Sequence, residues 1–196
     1  MFEVSPEVID GCRRRSEEAY SALFGVLELP VVNFLHRMCG ERNLAEDLFQ
    51  ETFVRILRGL PSWQPRAKFS TWVFTIARNL ALDHFKHERR GPGTSTDQAI
   101  HEEGGKIIFL SEMIPEEGPS PAALAERAEE VERLRDAIER LGVVKREALV
   151  LRVFQGLPYT EIAEITGCPV GTAKYRVHDA VQDLTRMLAS NEAMEA

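Results

Sequence analysis

Aromatic rings and cations crowd one stretch of this chain. Trp63 stands in the loop GLPSWQP, and Arg66 and Lys68 follow it closely. The next run, FSTWVFTIARNLALDHFKHERR, opens on Phe69 and Trp72 and closes on Lys86, Arg89 and Arg90. Flat rings either pack in a core or stack on bases, and cations either meet solvent or hold phosphates. Three surroundings therefore compete for this stretch: the protein's own core, a membrane surface and nucleic acid. The membrane fits worst. The apolar stripe of the run is needed for packing, and its basic cluster is confined to one end.

Two further groupings have spacings that matter. In NLAEDLFQETFVRIL, residues Glu46, Asp47, Gln50, Glu51 and Arg55 recur at intervals of three and four, which lines them on one helical face. Such a face is either solvated or a docking surface. The run LPYTEIAEITGCPVGTAKYRVHDAVQDLTRML, Leu157 to Leu188, has the layout of a helix-turn-helix. Ile162, Ala163 and Ile165 point inward, Gly167 turns the chain, and a second helix buries Val170, Ala173, Val177 and Val181. Its exposed residues are then Thr172, Lys174, Tyr175, Arg176 and His178, placed where a major-groove helix reaches base edges. Two packed helices with no ligand would show the same pattern.

Other chemistry finds little support. His84 and His87, or His36 and Cys39, are three apart and could share a helical face, but a metal site needs a third ligand that no cluster supplies. No nucleophile motif, phosphate loop or dinucleotide fingerprint is present. No metal, cofactor or enzymatic activity is expected.

These side chains need helices to position them. At 196 residues with 44% hydrophobic content, the chain is long enough for one ordinary domain or two small ones. Almost every strong periodicity is helical, and no strand alternation persists. Helices are predicted over Glu18 to Cys39, bent or divided at Pro30, over Asn43 to Leu60, and from Ser70 or Thr71 to Arg90. On the last of these, Phe69, Trp72, Val73, Ile76, Leu80, Leu82 and Phe85 are expected to face the core. A second block begins near Ala122, with one helix to Leu141 that carries Leu124, Val131, Leu134, Ala137, Ile138 and Leu141 on one side and a second over Lys145 to Phe154, before the helix-turn-helix.

Charge separates the blocks. The net charge is -7, yet residues 66–90 hold six Lys/Arg against two acids, whereas residues 91–132 hold two against ten. The segment between the blocks is rich in Gly, Pro, Ser, Thr and Glu, has one apolar patch at Ile107 to Leu110, and reads as a flexible acidic linker. The expected fold is all-α, with two small helical domains joined by that linker. The divisions are an N-terminal tail 1–17, a first domain 18–90, the linker 91–121, a second domain 122–190 and a C-terminal tail 191–196. No apolar run approaches the ~18 residues that span a bilayer, so no membrane insertion is expected. The start of the chain lacks a secretory pattern, and the scattered Cys12, Cys39 and Cys168 fit a reduced, cytoplasmic setting.

The run EIAEITGCPVGTAKYRVHDAVQDL resembles region 4 of bacterial sigma factors, specifically the extracytoplasmic-function (ECF) group. The polar-faced helix over Asn43 to Leu57, followed by the aromatic stretch, resembles region 2 of the same family. Together the resemblances cover Glu18 to Arg90 and Leu124 to Leu188. They imply an alternative sigma factor that binds core RNA polymerase through its beta and beta-prime subunits, directs it to promoter DNA and assists melting. By resemblance, Asp47, Gln50 and Glu51 match core-binding positions. Trp63, Ile76 and Asn79 match the pocket for a flipped −10 base. Arg66, Lys68, Arg78, Lys86, Arg89 and Arg90 are the accompanying candidates for −10 DNA, and Thr172, Lys174, Tyr175, Arg176 and His178 those for the −35 element. The resemblance also implies an anti-sigma factor as regulatory partner.

Three departures stand out. Pro158 occupies a position where family members often carry a capping Ser or Thr, with Glu161 three residues on. Tyr175 replaces a small polar residue. Asp179 stands where Arg is frequent, and beside a phosphate it would weaken binding. The rival functions are a helix-turn-helix regulator acting without polymerase, an enzyme with an appended DNA-binding domain, and an adaptor that binds polymerase without reading promoters.

Overall fold

The computed structural model describes the backbone of residues 2–90 and 121–195 and the side chains of 2–87 and 129–189. The expected linker, its Ile107-to-Leu110 patch and Leu124 lie outside the described residues. Among the described residues all regular structure is helical. The first block holds α1 (Pro6–Arg13), α2 (Glu17–Cys39), α3 (Arg42–Gly59) and α4 (Phe69–Arg90). The second holds α5 (Pro121–Arg140), α6 (Val143–Leu149), a π-helical turn (Val150–Phe154), α7 (Tyr159–Thr166) and α8 (Val170–Glu195).

Local chemistry explains the ends. Ser5 and Ser16 accept hydrogen bonds from the backbone N–H groups of Val8 and Ala19, capping α1 and α2. Gly40 closes α2 at φ 80°, and Gly167 closes α7 at φ 64°; only glycine takes that left-handed conformation without cost. α2 is one helix through Pro30, so the proline does not divide it. Leu27, Val31 and Val32 are buried on both sides of the proline, and that packing holds the helix together across the lost donor.

Residues 1–17 are not a bare tail. Ile9 and Cys12 are buried where α1 packs on α2, and the Phe2 ring lies 5.6 Å from that of Phe74. The polar composition of residues 1–17 hides this, because two buried side chains and one glycine suffice to seat a two-turn helix. Three other residues face outward rather than into the core: Leu134, Val170 and Val181 are exposed. On α8 the buried line is instead Ala173, Val177, Ala180 and Leu184. A true 3.6-residue period carries the core face through those four and away from Val170 and Val181.

The two blocks pack together. Leu23, Leu27, Val31, Phe34, Leu35 and Met38 of α2 join Phe74 and Ala77 of α4, and the same apolar cluster continues into Ala148, Val150, Leu151, Leu157, Ile162 and Ile165. By length and composition α2 could cross a membrane, contrary to the expectation from apolar runs. Its fully buried side chains are, however, taken up by the bundle.

The approach of α1 to α2 depends on one missing side chain. A Cβ at Gly11 would lie 2.6 Å from Ala19 Cβ. Gly11→Ala should therefore push α1 off α2 and lower stability by about 1–3 kcal/mol. Urea unfolding should show a lower midpoint with an unchanged slope, and Ala19→Gly in the same chain should recover part of the loss.

Candidate nucleic-acid and polymerase interface

Trp63 is half-buried in the loop between α3 and α4. Its ring packs edge-on to Phe69 at 5.3 Å and lies 5.9 Å from Trp72, and its carbonyl accepts a 2.8 Å hydrogen bond from Arg13. Gly59 allows this cluster, because a Cβ there would meet Trp72 Cζ2 at 2.9 Å. Beside the rings opens a cavity of about 300 Å³ lined by Trp63, Gln64, Arg66, Ala67, Thr71, Trp72, Thr75 and Glu164. Phe69 is buried as expected, whereas Trp72 is only half-buried and supplies part of the cavity wall.

The cavity does not include Ile76 or Asn79. Ile76 is half-buried against the core, and exposed Asn79 lies one turn beyond Thr75, where its Oδ1 accepts from Arg78 at 3.3 Å. The structure thus groups Trp63 with Trp72, Thr71 and Thr75. Sequence reasoning passed over the two threonines because a hydroxyl carries no distinctive charge or bulk. Their clue is the spacing Thr71-Thr75-Asn79, which stacks them on one face.

The basic candidates divide by environment. Arg66 is exposed at the cavity, and Lys86 is exposed with Asp83 at 3.2 Å on its own helix. Lys68 and Arg78 instead reach the second block. Lys68 Nζ lies 2.6 Å from Glu161 Oε1, and Arg78 spans both oxygens of Glu147 at 2.7 and 3.2 Å. The side chains of Arg89 and Arg90 lie outside the described residues.

In the helix-turn-helix, Ile162, Ala163 and Ile165 are buried as the sequence predicts. Lys174, Tyr175 and His178 are exposed, Tyr175 at 65%, and Thr172 is half-buried. Arg176 turns inward, 3.8 Å from Glu147. Asp179 corrects the concern raised above, because it does not stand free toward a phosphate backbone. It lies 2.8 Å from Lys145, which also pairs with Asp183. The ammonium is held above its ordinary pKa by hydrogen bonds to these two carboxylates.

On α3, Asp47, Gln50 and Glu51 are exposed on the side away from buried Ala45, Phe49 and Ile56. Arg55 lies 2.8 Å from Glu51, and Arg42 the same distance from Glu46. The sequence did not single out Val54, which is 38% exposed and falls on the same side, three residues beyond Glu51.

A helix-turn-helix, an aromatic cavity with cations beside it and an acidic exposed helix face define a transcription protein built from two sigma-type regions. Residues 23–91 match Sigma-70 region 2, and residues 131–184 match Sigma-70, region 4. The ECF sigma factor EcfG of Rhodopseudomonas palustris is 32% identical over 158 residues, covering 79% of this chain and 77% of the relative. SigW of Bacillus subtilis is 27% identical, covering 90% and 92%. BldN of Streptomyces coelicolor is 30% identical over 93% of this chain, which spans 65% of the length of that relative. Among solved structures, CnrH in complex with the cytosolic domain of CnrY has the same fold, with TM-score 0.65 and 18% identity over 93% of this chain and 96% of that one. The chain belongs to the ECF RNA polymerase sigma factors, and its function is to direct core polymerase to promoters in transcription initiation.

A second junction between the blocks lies at the end of α2. Arg135 of α5 donates to the Gly40 carbonyl at 2.8 Å, and Arg146 of α6 donates to that of Met38 at 2.6 Å. Both guanidinium groups thereby satisfy carbonyls that a helix end leaves unpaired. His36 sits among them, its Nε2 3.3 Å from Arg135. Burial, then the charges of Arg135, Arg37 and Arg42, lower its pKa to about 4. Once released to water, His36 would titrate near 6.5. The packed form should therefore hold its full stability above pH 6.5 and lose up to about 3 kcal/mol as the pH falls toward 4. Urea midpoints measured across this window should show that slope, and His36→Asn should remove most of it.

Proposed function

We propose that this sigma factor divides its labour among three surfaces, through binding alone and in the cytoplasm. The exposed side of α3, with Asp47, Gln50 and Glu51, docks on the beta and beta-prime subunits of core polymerase. Polar complementarity of this kind sets register and partner choice. The cavity between Trp63 and Trp72, with Arg66 beside it, receives an unstacked base of the −10 strand. Asn79, one turn beyond Thr75 on α4, and Ile76, next to Thr75 in the chain, contact the strand outside the cavity, and Lys68, Arg78, Lys86, Arg89 and Arg90 meet phosphates. Lys174, Tyr175 and His178 lead the approach to the −35 element, with Thr172 and Arg176 beside them.

The cavity carries the −10 assignment. It joins two flat indole faces to a cation and stays open on a surface, which suits a single strand better than a duplex. Nothing in the arrangement requires covalent chemistry: base capture offsets the cost of unstacking. We further infer an anti-sigma factor as regulatory partner. A complex of the sigma factor RpoE with the anti-sigma factor NepR from Bartonella quintana, at 22% identity and TM-score 0.64, motivates this.

The assignments separate experimentally. Trp63→Ala should reduce promoter opening by about 10- to 100-fold, since a stacked base is worth roughly 1–3 kcal/mol. Asn79→Ala should act in the same direction, and both variants should bind core polymerase normally. Asp47→Ala with Glu51→Ala should instead weaken core binding about 10-fold, measured by fluorescence titration, while assembled holoenzyme still opens promoters. A reversed pattern would show that the faces have been exchanged.

A further inference from the structure

Through Arg13 the N-terminal helix reaches the loop that carries Trp63. Arg13 stands in the last turn of α1, and its guanidinium is held on three edges. Nη1 donates to Asp10 Oδ1 at 3.2 Å on the same helix, Nε to the Leu60 carbonyl at 3.4 Å and Nη2 to the Trp63 carbonyl at 2.8 Å. Leu60 and Trp63 are the first and last residues of one tight turn, closed by a 3.2 Å bond from the Trp63 N–H to the Leu60 carbonyl. The planar fork therefore bridges both ends of the turn, which the point charge of a lysine could not do. Among the described residues, every hydrogen bond this turn receives from another element comes from Arg13.

Both sides of the contact have local causes. α3 ends at Gly59, so the Leu60 carbonyl lies at the negative end of the helix dipole, where a cation is stabilised. Pro61 and Pro65 bring no N–H groups with which the loop could tie itself to its neighbours. α1, in turn, is firmly seated: Ile9 and Cys12 are buried, and Gly11 lies against Ala19. Arg15 closes the helix at φ 63°, a left-handed conformation that glycine would take without cost, while its N–H donates to the Cys12 carbonyl and that of Ser16 to the Gly11 carbonyl. Arg13 is thus presented to the loop from a fixed base.

We propose that Arg13 is a positioning residue for capture of the −10 base, and that α1 is thereby a working part of promoter opening. Arg13 acts through Trp63, by fixing the turn on which the indole stands, and not by meeting DNA itself. The proposal rests on the assignment of the Trp63 cavity to the −10 strand. The ring contacts with Phe69 and Trp72 do not make the anchor redundant, because they hold only the indole. A base that enters the cavity competes with Trp72 for the Trp63 ring. The loop backbone must keep its place while that contact opens, and Arg13 supplies the bonds that hold it.

Holoenzyme built on the full-length chain provides the test. Opening is read as permanganate reactivity of unpaired thymines in a promoter that the unaltered holoenzyme selects from a random-sequence library. Arg13→Ala should lower opening about 5- to 10-fold, the scale of a typical net hydrogen bond, with core binding unchanged. Arg13→Lys, which keeps the charge but reaches a single carbonyl, should recover only part of that loss. In a Trp63→Ala chain, Arg13→Ala should cause no further loss. In a Trp72→Phe chain, where Trp63 is the one tryptophan left, Arg13→Ala should make the indole fluorescence more open to acrylamide quenching, which loss of a phosphate contact would not do. Full opening by Arg13→Lys, unchanged quenching, or an equal loss in the Trp63→Ala chain would overturn the proposal, and Arg13→Lys carries the test if the alanine variant does not fold. Normal opening by Trp63→Ala alone would instead refute the −10 assignment of the cavity.

Discussion

Helix α2 has more apolar surface than any one neighbour can cover. Leu23, Leu27, Val31, Phe34, Leu35 and Met38 are all completely buried, and they point to more than one side. The helix must therefore be surrounded, and α1, α3, α4, α5, α6 and the π-helical turn all pack against it. α3 and α4 cover it within the first block, which fixes the loop carrying Trp63 and the exposed side of α3. The second block covers the rest. The position of the Trp63 loop and of the exposed side of α3 follows from the need to bury this one helix.

Burial of the apolar surface brings polar groups with it, and these are matched with care. The carbonyls at the end of α2 meet Arg135 and Arg146, and the Pro30 carbonyl accepts from Gln155 at 3.4 Å. Glu147, itself nearly inaccessible, sits between Arg78 and Arg176. A buried charge without such partners would cost several kcal/mol. The block boundary is thus apolar at its centre and paired at its rim: Glu147 of the second block meets Arg78 of α4, and Arg135 and Arg146 of the second block meet the carbonyls of α2. This explains how an acidic chain keeps a cationic face: its negative charge is placed partly against that face and partly elsewhere.

Much of the architecture was legible without coordinates. Periodicity located α2, α3, α4, α7 and α8 to within a few residues, and the glycine turn between α7 and α8 appears where expected. Asp47, Gln50 and Glu51 are exposed as their spacing implies. The errors share a cause. Val170, Val181 and Leu134 fit a helical repeat but miss the true centre of the buried face, and a shift of one position in the repeat moves a residue by 100°. The α1 helix escaped notice although Ser5 and Pro6 mark its start, because it is only two turns long and its seat depends on the close approach of Gly11 to Ala19.

The sequence by itself determined the helices, their caps, the glycine turns and the chemical character of each face, because these depend on neighbours within a few residues. Only the tertiary structure decided what those faces meet. It brought Trp72, Thr71 and Thr75 to Trp63 in place of Ile76 and Asn79. It turned Asp179 toward Lys145, and it set Glu147 and Glu161 against Arg78 and Lys68. Pairs separated by 69 and 93 residues in the chain leave no periodic trace. Whether a charged side chain reaches solvent, DNA or another part of its own protein is settled by packing between elements.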